Sequence, residues 1–108
     1  FVTRSGRGAS VERPKAYKSQ SRAAGFLSRR ADPFMVTVHP KPEGTPIFLN
    51  RHAGQEYNYV VSGRMLLRIN GKDLILEAGD SIYFNSDQPH GMKALDGEEV
   101  RFLAIIIA

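Results

Sequence analysis

From Pro33 onward the chain is a succession of short runs of strand-forming residues, each closed by a turn signal, and this punctuation restricts the fold more than any other feature. Phe34-Met35-Val36-Thr37-Val38 alternates, Pro40 and Pro42 break it, and a further strand is expected to begin over Pro46 to Leu49. Tyr57 to Val61 is rich in aromatic and β-branched residues, and Ser62-Gly63 marks the turn after it. Met65 to Ile69 reaches Asn70-Gly71, the pair best suited to a two-residue hairpin, and Leu74-Ile75-Leu76 returns from it. Ala78-Gly79-Asp80 is another turn, Ser81 to Phe84 another strand, and Asp96-Gly97 is expected to form a second hairpin before Val100 to Ile107. Strands this short and this regularly spaced argue for an all-β sandwich or barrel, not for a parallel sheet flanked by helices. Residues 1 to 10, rich in Gly and Ser, read as a linker or a frayed first strand. Ser21 to Gly25 fits either a short helical turn or an irregular strand.

Three ligand-type side chains stand among these strands. His52 and Glu56 are four residues apart, and on one straight strand their Cα atoms would lie about 13 Å apart, too far to share an ion. A helical turn would bring them together, but the residues after Glu56 are strand formers and Gly54 offers a place to bend. One strand is therefore expected to end near His52, with Ala53-Gly54-Gln55 as a tight connection and a second strand starting at Glu56. His90 arrives from a third element, after the polar turn Asn85-Ser86-Asp87-Gln88 and Pro89. Two imidazoles and a carboxylate suit iron, manganese, nickel or zinc and leave coordination positions open for a small molecule. The plainer reading of the same residues is a hydrogen-bonded cluster in which the carboxylate orients an imidazole.

Parity sorts the strand residues. Asn50 and His52 leave the same face; Glu56, Asn58 and Val60 share one face of the next strand, and Tyr57, Tyr59 and Val61 share the other. Met65, Leu67 and Ile69 oppose Leu66 and Arg68 in the same way. Asn58, Tyr59, Met65, Phe84 and Met92 are the candidates for a ligand pocket, with core packing as the alternative for the aromatic and methionine residues. His39 fits no ligand spacing and is expected to be exposed. The closing strand is apolar on both faces from Leu103 to Ile107, which suits a dimer interface or burial within the chain.

These segments resemble the cupin superfamily of small double-stranded β-helix barrels. Its first motif runs His, one residue, His, three residues, Glu, six residues, Gly; here Asn50, Arg51, His52, three residues, Glu56, six residues and Gly63 keep the register. Its second motif begins at Gly and carries its His eleven positions on, matched by Gly79 and His90, while Asn85, Asp87 and Ala94 stand where Pro, Gly and Asn are common. The resemblance implies a cupin-type jelly-roll barrel with an N-terminal arm and metal ligands at His52, Glu56 and His90. Asn50 is a weaker fourth ligand, because a neutral amide oxygen binds a transition metal less well than imidazole does. The run Val11 to Pro42, with LEAGDSIYFNSDQPHGMKAL and the closing VRFLAIII, is similar to the C-terminal cupin domain of bacterial helix-turn-helix transcriptional regulators. That subgroup implies a domain that senses a small molecule and dimerises, downstream of a DNA-binding domain. The opening Phe1 reads as the start of a fragment.

Charge divides the chain at about residue 31. Residues 1–31 carry eight basic residues and one acid, whereas the remaining 77 carry seven basic and ten acidic ones. A basic arm (1–31) followed by a mildly acidic barrel (32–108) is expected, with the arm serving as linker and edge strand more than as a phosphate contact. No helix-turn-helix pattern occurs in the 108 residues, so this chain is not expected to read DNA by itself. With no cysteine there is neither a disulfide nor a thiolate zinc site. No apolar run is long enough to span a bilayer, and a cytoplasmic, non-membrane protein is expected. Three classes of function fit: a metabolite sensor acting as a homodimer, a small metal-dependent enzyme of dioxygenase or isomerase type, and a purely structural dimerisation barrel. The sensor is favoured, since Asn50 replaces a histidine that catalytic cupins tend to keep.

Overall fold

A computed structural model describes residues 10–12, 17–21, 25–26 and 30–108. The strands are β1 (Ser10–Glu12), β2 (Tyr17–Ser21), β3 (Ala31–Val38), β4 (Gln55–Ser62), β5 (Arg64–Ile69), β6 (Lys72–Glu77), β7 (Ser81–Asn85), β8 (His90–Ala94) and β9 (Val100–Ile107). They form two antiparallel sheets, one of six strands in the order β1-β2-β3-β9-β4-β7 and one of three in the order β6-β5-β8. The result is an all-β jelly-roll barrel, with no helix among the described residues and so none long and apolar enough to cross a membrane. The expected linker over residues 1 to 10 and the two readings of Ser21 to Gly25 fall largely outside the described residues.

Alternation builds the core. Val36 and Val38 of β3, Val60 of β4, Met65 and Leu67 of β5, Phe84 of β7 and Val100, Phe102 and Ala104 of β9 point inward and are buried. Their chain neighbours point to the other face, as the period of two requires. β9 lies between β3 and β4, pairing Phe102 with Val36 on one side and Val60 on the other. A central place in the larger sheet covers both edges of β9 but not its outer face, where Leu103 and Ile105 are half-buried. The β4–β9 pairing slips at Val61, a bulge that turns the end of β4.

Turn chemistry behaves as expected at one site and differently at another. Asn70 and Gly71, with φ of 49° and 80°, close the β5–β6 hairpin. Asp96 and Gly97 have similar angles, 61° and 65°, but the strands they join belong to opposite sheets, since β8 pairs with β5 and β9 with β3 and β4. The second hairpin expected from Asp96-Gly97 is a crossover. No strand forms over Pro46 to Leu49 either; the chain meets the smaller sheet next to it, at a bridge in which Asn50 and His90 exchange backbone hydrogen bonds of 2.8 and 2.9 Å. The backbone of Phe48 passes so near Gly91 that any Cβ there would lie 2.2 Å from the Phe48 carbonyl oxygen. The segment is pressed against β8 at one point instead of pairing along it.

Candidate metal centre

The bend between His52 and Glu56 is built from backbone. Gly54 adopts φ of 97°, and the chain there is tied to the end of β7 by two hydrogen bonds: the His52 N–H donates to the Ser86 carbonyl at 2.9 Å and the Ser86 N–H to the Gly54 carbonyl at 3.1 Å. β4 starts at Gln55, which turns Glu56 inward, while His52 lies just before the bend and outside any strand. His90 opens β8 directly after Pro89, whose carbonyl accepts from the Asn70 N–H at 2.8 Å. Three separate elements thus deliver His52, Glu56 and His90 to one end of the barrel interior.

Their ligand atoms all lie within 4.8 Å of one another. His52 Nε2 is 3.1 Å and His90 Nε2 3.6 Å from the same oxygen, Glu56 Oε1. Bonds of about 2.1 Å to a shared ion would set donors roughly 3.0–3.4 Å apart, so these spacings suit a first-row ion after small rotations. Glu56 and His90 are buried, whereas the His52 side chain keeps 27% of its surface exposed. The opening is on the His52 side.

Hydrogen bonding at the far side of each ring decides what the near side can do. His90 Nδ1 lies 2.8 Å from the Gln88 carbonyl and His52 Nδ1 3.2 Å from the Ala53 carbonyl. A carbonyl oxygen only accepts, so His90 Nδ1, at 2.8 Å, carries the proton and donates it, whereas His52 has a single proton for the Ala53 carbonyl at 3.2 Å and Glu56 Oε1 at 3.1 Å. Each neutral ring thus has one N–H between two acceptors, a main-chain carbonyl and the Glu56 carboxylate, so one contact of each ring lacks a donor. Either a cation or an extra proton must reconcile them. Burial alone would raise the Glu56 carboxyl, but the hydrogen bonds and charges of His90 and His52 outweigh it and hold it below its ordinary range. Burial likewise opposes protonation of His90, yet the hydrogen bonds to Glu56 and to the Gln88 carbonyl, with the Glu56 charge, leave its value raised. Without a metal, a proton on His90 fills the role. The donor set therefore fits a divalent ion.

The cavity at this centre has a volume of about 40 Å³ and is lined by Asn50 and the three ligand residues together with Phe34, Phe48, Met92, Phe102 and Ile106 among others. Of the residues expected to form a pocket, Met92 lines this cavity and Phe84 packs edge-on against the His90 ring at 5.0 Å between centroids. Asn58 lies two residues beyond Glu56 on the same inward face, fully buried, its amide atoms without a protein hydrogen-bond partner. Met65 sits in the core away from the cavity lining. Tyr59 stands on the outward face of β4 and is 40% exposed, where strand parity puts it out of reach of the interior. His39 is exposed beside Glu99. The aromatic wall of Phe34, Phe48 and Phe102 was not singled out from sequence, although the parity of Phe102 with Ile106 already places both on one face of β9. The two carbonyls that fix the imidazoles are main-chain atoms and carry no residue-type signal.

A family model described as "Cupin domain" matches residues 34–106. An oxalate-binding protein of Thermotoga maritima is 33% identical over 67 residues, 61% of this chain and 55% of that protein. Among solved structures, Fe(II)-HppE with an alternative substrate superposes with a TM-score of 0.86 at 19% identity, over 99% of this chain and 60% of that one. The Cupin_2 domain of an XRE family transcriptional regulator from Enterobacter cloacae gives a TM-score of 0.74 at 21% identity, over 87% of this chain and 98% of that one. This chain thus spans little more than half the length of the Thermotoga protein and about three fifths of the HppE chain.

Proposed function

The chain belongs to the cupin domain family, and on that premise we propose that it is a metal-dependent, small-molecule-sensing and dimerising domain of a bacterial transcriptional regulator. The observation that carries the metal is the meeting of two imidazole Nε2 atoms on one Glu56 oxygen while both Nδ1 atoms face backbone carbonyls. His52, Glu56 and His90 hold the ion, with Asn50 beside them in the cavity lining. When bound, a divalent ion supplies a Lewis-acidic position at which an oxygen-bearing ligand docks. Around it the chain's own residues exclude water: Phe34, Phe102 and Ile106 make an apolar wall. The regulator reading is supported by the sequence similarity that runs from Val11 into the first motif, and by the Enterobacter domain, a regulator module of nearly the same extent. DNA contact would belong to a separate domain, and the place of action would be the cytoplasm.

Signalling requires that a ligand favour one arrangement of a dimer over another. The described residues supply no group beyond the three ligands that is placed as a general base at the centre, which favours binding over turnover. An enzymatic reading keeps one specific support, the likeness of 99% of this chain to Fe(II)-HppE.

Elemental analysis tests the centre. Protein purified without chelator is expected to carry about one equivalent of a first-row metal, and His52→Ala and His90→Ala to lose most of it; equal metal in all three samples overturns the assignment. The regulator reading is tested on the gene, where a reading frame with no DNA-binding domain ahead of Phe1 would refute it. Turnover of a small-molecule substrate with added iron or manganese would instead establish the enzyme.

A further inference from the structure

Charge accounting within the cavity, together with its volume, identifies the ligand class, and this step rests on the metal reading above. A divalent ion held by one carboxylate and two neutral imidazoles leaves a net charge of +1. Among the described residues that line the cavity there is no lysine or arginine, and the walls are Phe34, Phe48, Met92, Phe102 and Ile106. A ligand with one negative charge brings this apolar site to neutrality, whereas a compact dianion leaves a buried charge of −1 with nothing to balance it, which is costly.

Size adds a second restriction. A volume of about 40 Å³ accommodates a carboxylate-sized head and little else. A wider groove of about 610 Å³ adjoins it, formed by Val38, Pro46, Ile47, Ala94 and Leu95 among others. Phe48 and Met92 line both spaces, so they form the partition between them. Phe48 is half exposed and belongs to the 46–49 segment, which lies outside the strands. A ligand with an apolar body finds apolar walls beyond its head group by crossing this partition, whereas the opening beside His52 leads to solvent. The groove rim carries Lys41 and Lys93 as well as Glu43, so it is the inner cavity that selects against a second charge on the head.

We propose that the barrel binds an elongated monocarboxylate, its carboxylate on the metal and its apolar body passing between Phe48 and Met92 into the outer groove. The test uses the full chain loaded with Co(II), whose visible spectrum reports both metal occupancy and ligand exchange, with acetate, butanoate, hexanoate, octanoate and oxalate as probes. Affinity is expected to rise about fourfold per added methylene along the series, as burial of hydrocarbon dictates, and oxalate to bind more weakly than octanoate. Phe48→Ala should flatten the dependence on chain length while acetate still perturbs the cobalt spectrum. Met92→Lys, which adds the missing positive charge, should shift the preference toward oxalate by at least about tenfold. A spectrum showing bound cobalt with a flat series, or with oxalate the tightest ligand of the unmodified protein, overturns the ligand class and leaves the metal centre standing. Failure to take up cobalt at all overturns both.

Discussion

Glu56 and His90 are displaced in opposite directions by the same contact, and this fixes how the metal-free protein responds to pH. The Glu56 carboxyl is held below its ordinary 4.5, so its contribution to stability is present above that value and is lost as acid protonates the folded form. His90 is raised above its ordinary 6.5; its contribution is complete below that value and is lost as the pH climbs through the folded-state value. Both contributions are therefore in force between 4.5 and 6.5, and thermal unfolding in chelator is expected to show its maximum there. A metal ion displaces the proton from His90 Nε2, so its stabilisation grows as pH rises, and the maximum should move upward when zinc is added. Melting curves at several pH values with and without zinc check this, and an optimum indifferent to zinc would remove His90 from the metal. Asn50 offers a further residue-scale expectation. It borders the cavity at the position where the family motif has imidazole, and Asn50→His should tighten zinc by about tenfold or more, ~1.4 kcal/mol, in a competition titration against a chelating dye.

At the scale of elements, the site depends on one bend more than on any strand. A Cβ at Gly54 would lie 2.1 Å from the Ile107 carbonyl oxygen, at φ of 97°. Gly54→Ala must push β9 away or reshape the turn, and it should cost more than about 2 kcal/mol while weakening metal binding, since His52 and Glu56 sit on either side of it. Gly71→Ala is the control: its φ is 80° but nothing lies within 4 Å of the added carbon, so backbone strain of about 1–2 kcal/mol is the whole expectation, with metal binding unchanged. Chemical denaturation and metal titration of both variants separate the two effects. The same elements show what the sequence conveys. The bend at Gly54 was legible because strand geometry forbids His52 and Glu56 from meeting otherwise. The inward parity of Glu56, Asn58 and Val60 was legible because a half-buried strand alternates. Sheet membership was not: Asp96-Gly97 adopts the angles of a hairpin turn, yet which sheet receives the next strand is decided by pairing of β9 with β3 and β4, far away in sequence. Parity sets Tyr59 opposite Glu56, against its expected place in the pocket, and the composition of the cavity wall needed three strands and the 46–49 segment to be assembled first.

For the whole molecule, the two sheets present unlike outer faces, and the difference points to where a second copy would pack. On the larger sheet, register aligns Tyr83, Tyr57 and Ile105 in one row and Tyr59 and Leu103 in the next. Tyr57 and Tyr83 lie 6.4 Å apart between ring centroids, the Tyr83 hydroxyl donates to Gln55 Oε1, and Tyr83, Tyr59 and Val61 are 56%, 40% and 43% exposed. On the smaller sheet the corresponding face sets the half-buried Leu66 and the exposed Ile75 between ion pairs, Arg68 with Asp73 at 2.7 Å and Arg64 with Glu77 and Asp96. Charged pairs already hydrated at a surface gain little from being covered, whereas an aromatic and aliphatic face gains in proportion to area. The proposed homodimer is accordingly expected to use the tyrosine face, and a stable interface would have to cover roughly 800 Å² on each copy. A Tyr59→Glu and Tyr83→Glu double variant places two negative charges on that face without touching the core, because both side chains point outward. Sedimentation velocity should show the unmodified chain as a dimer and the double variant as a monomer with unchanged metal content. Substituting Arg68→Glu on the other face should leave the dimer intact. A monomeric unmodified chain, or a double variant that still dimerises, would refute this face as the interface, and in the first case would also deprive the regulator reading of the coupled pair on which its signalling depends.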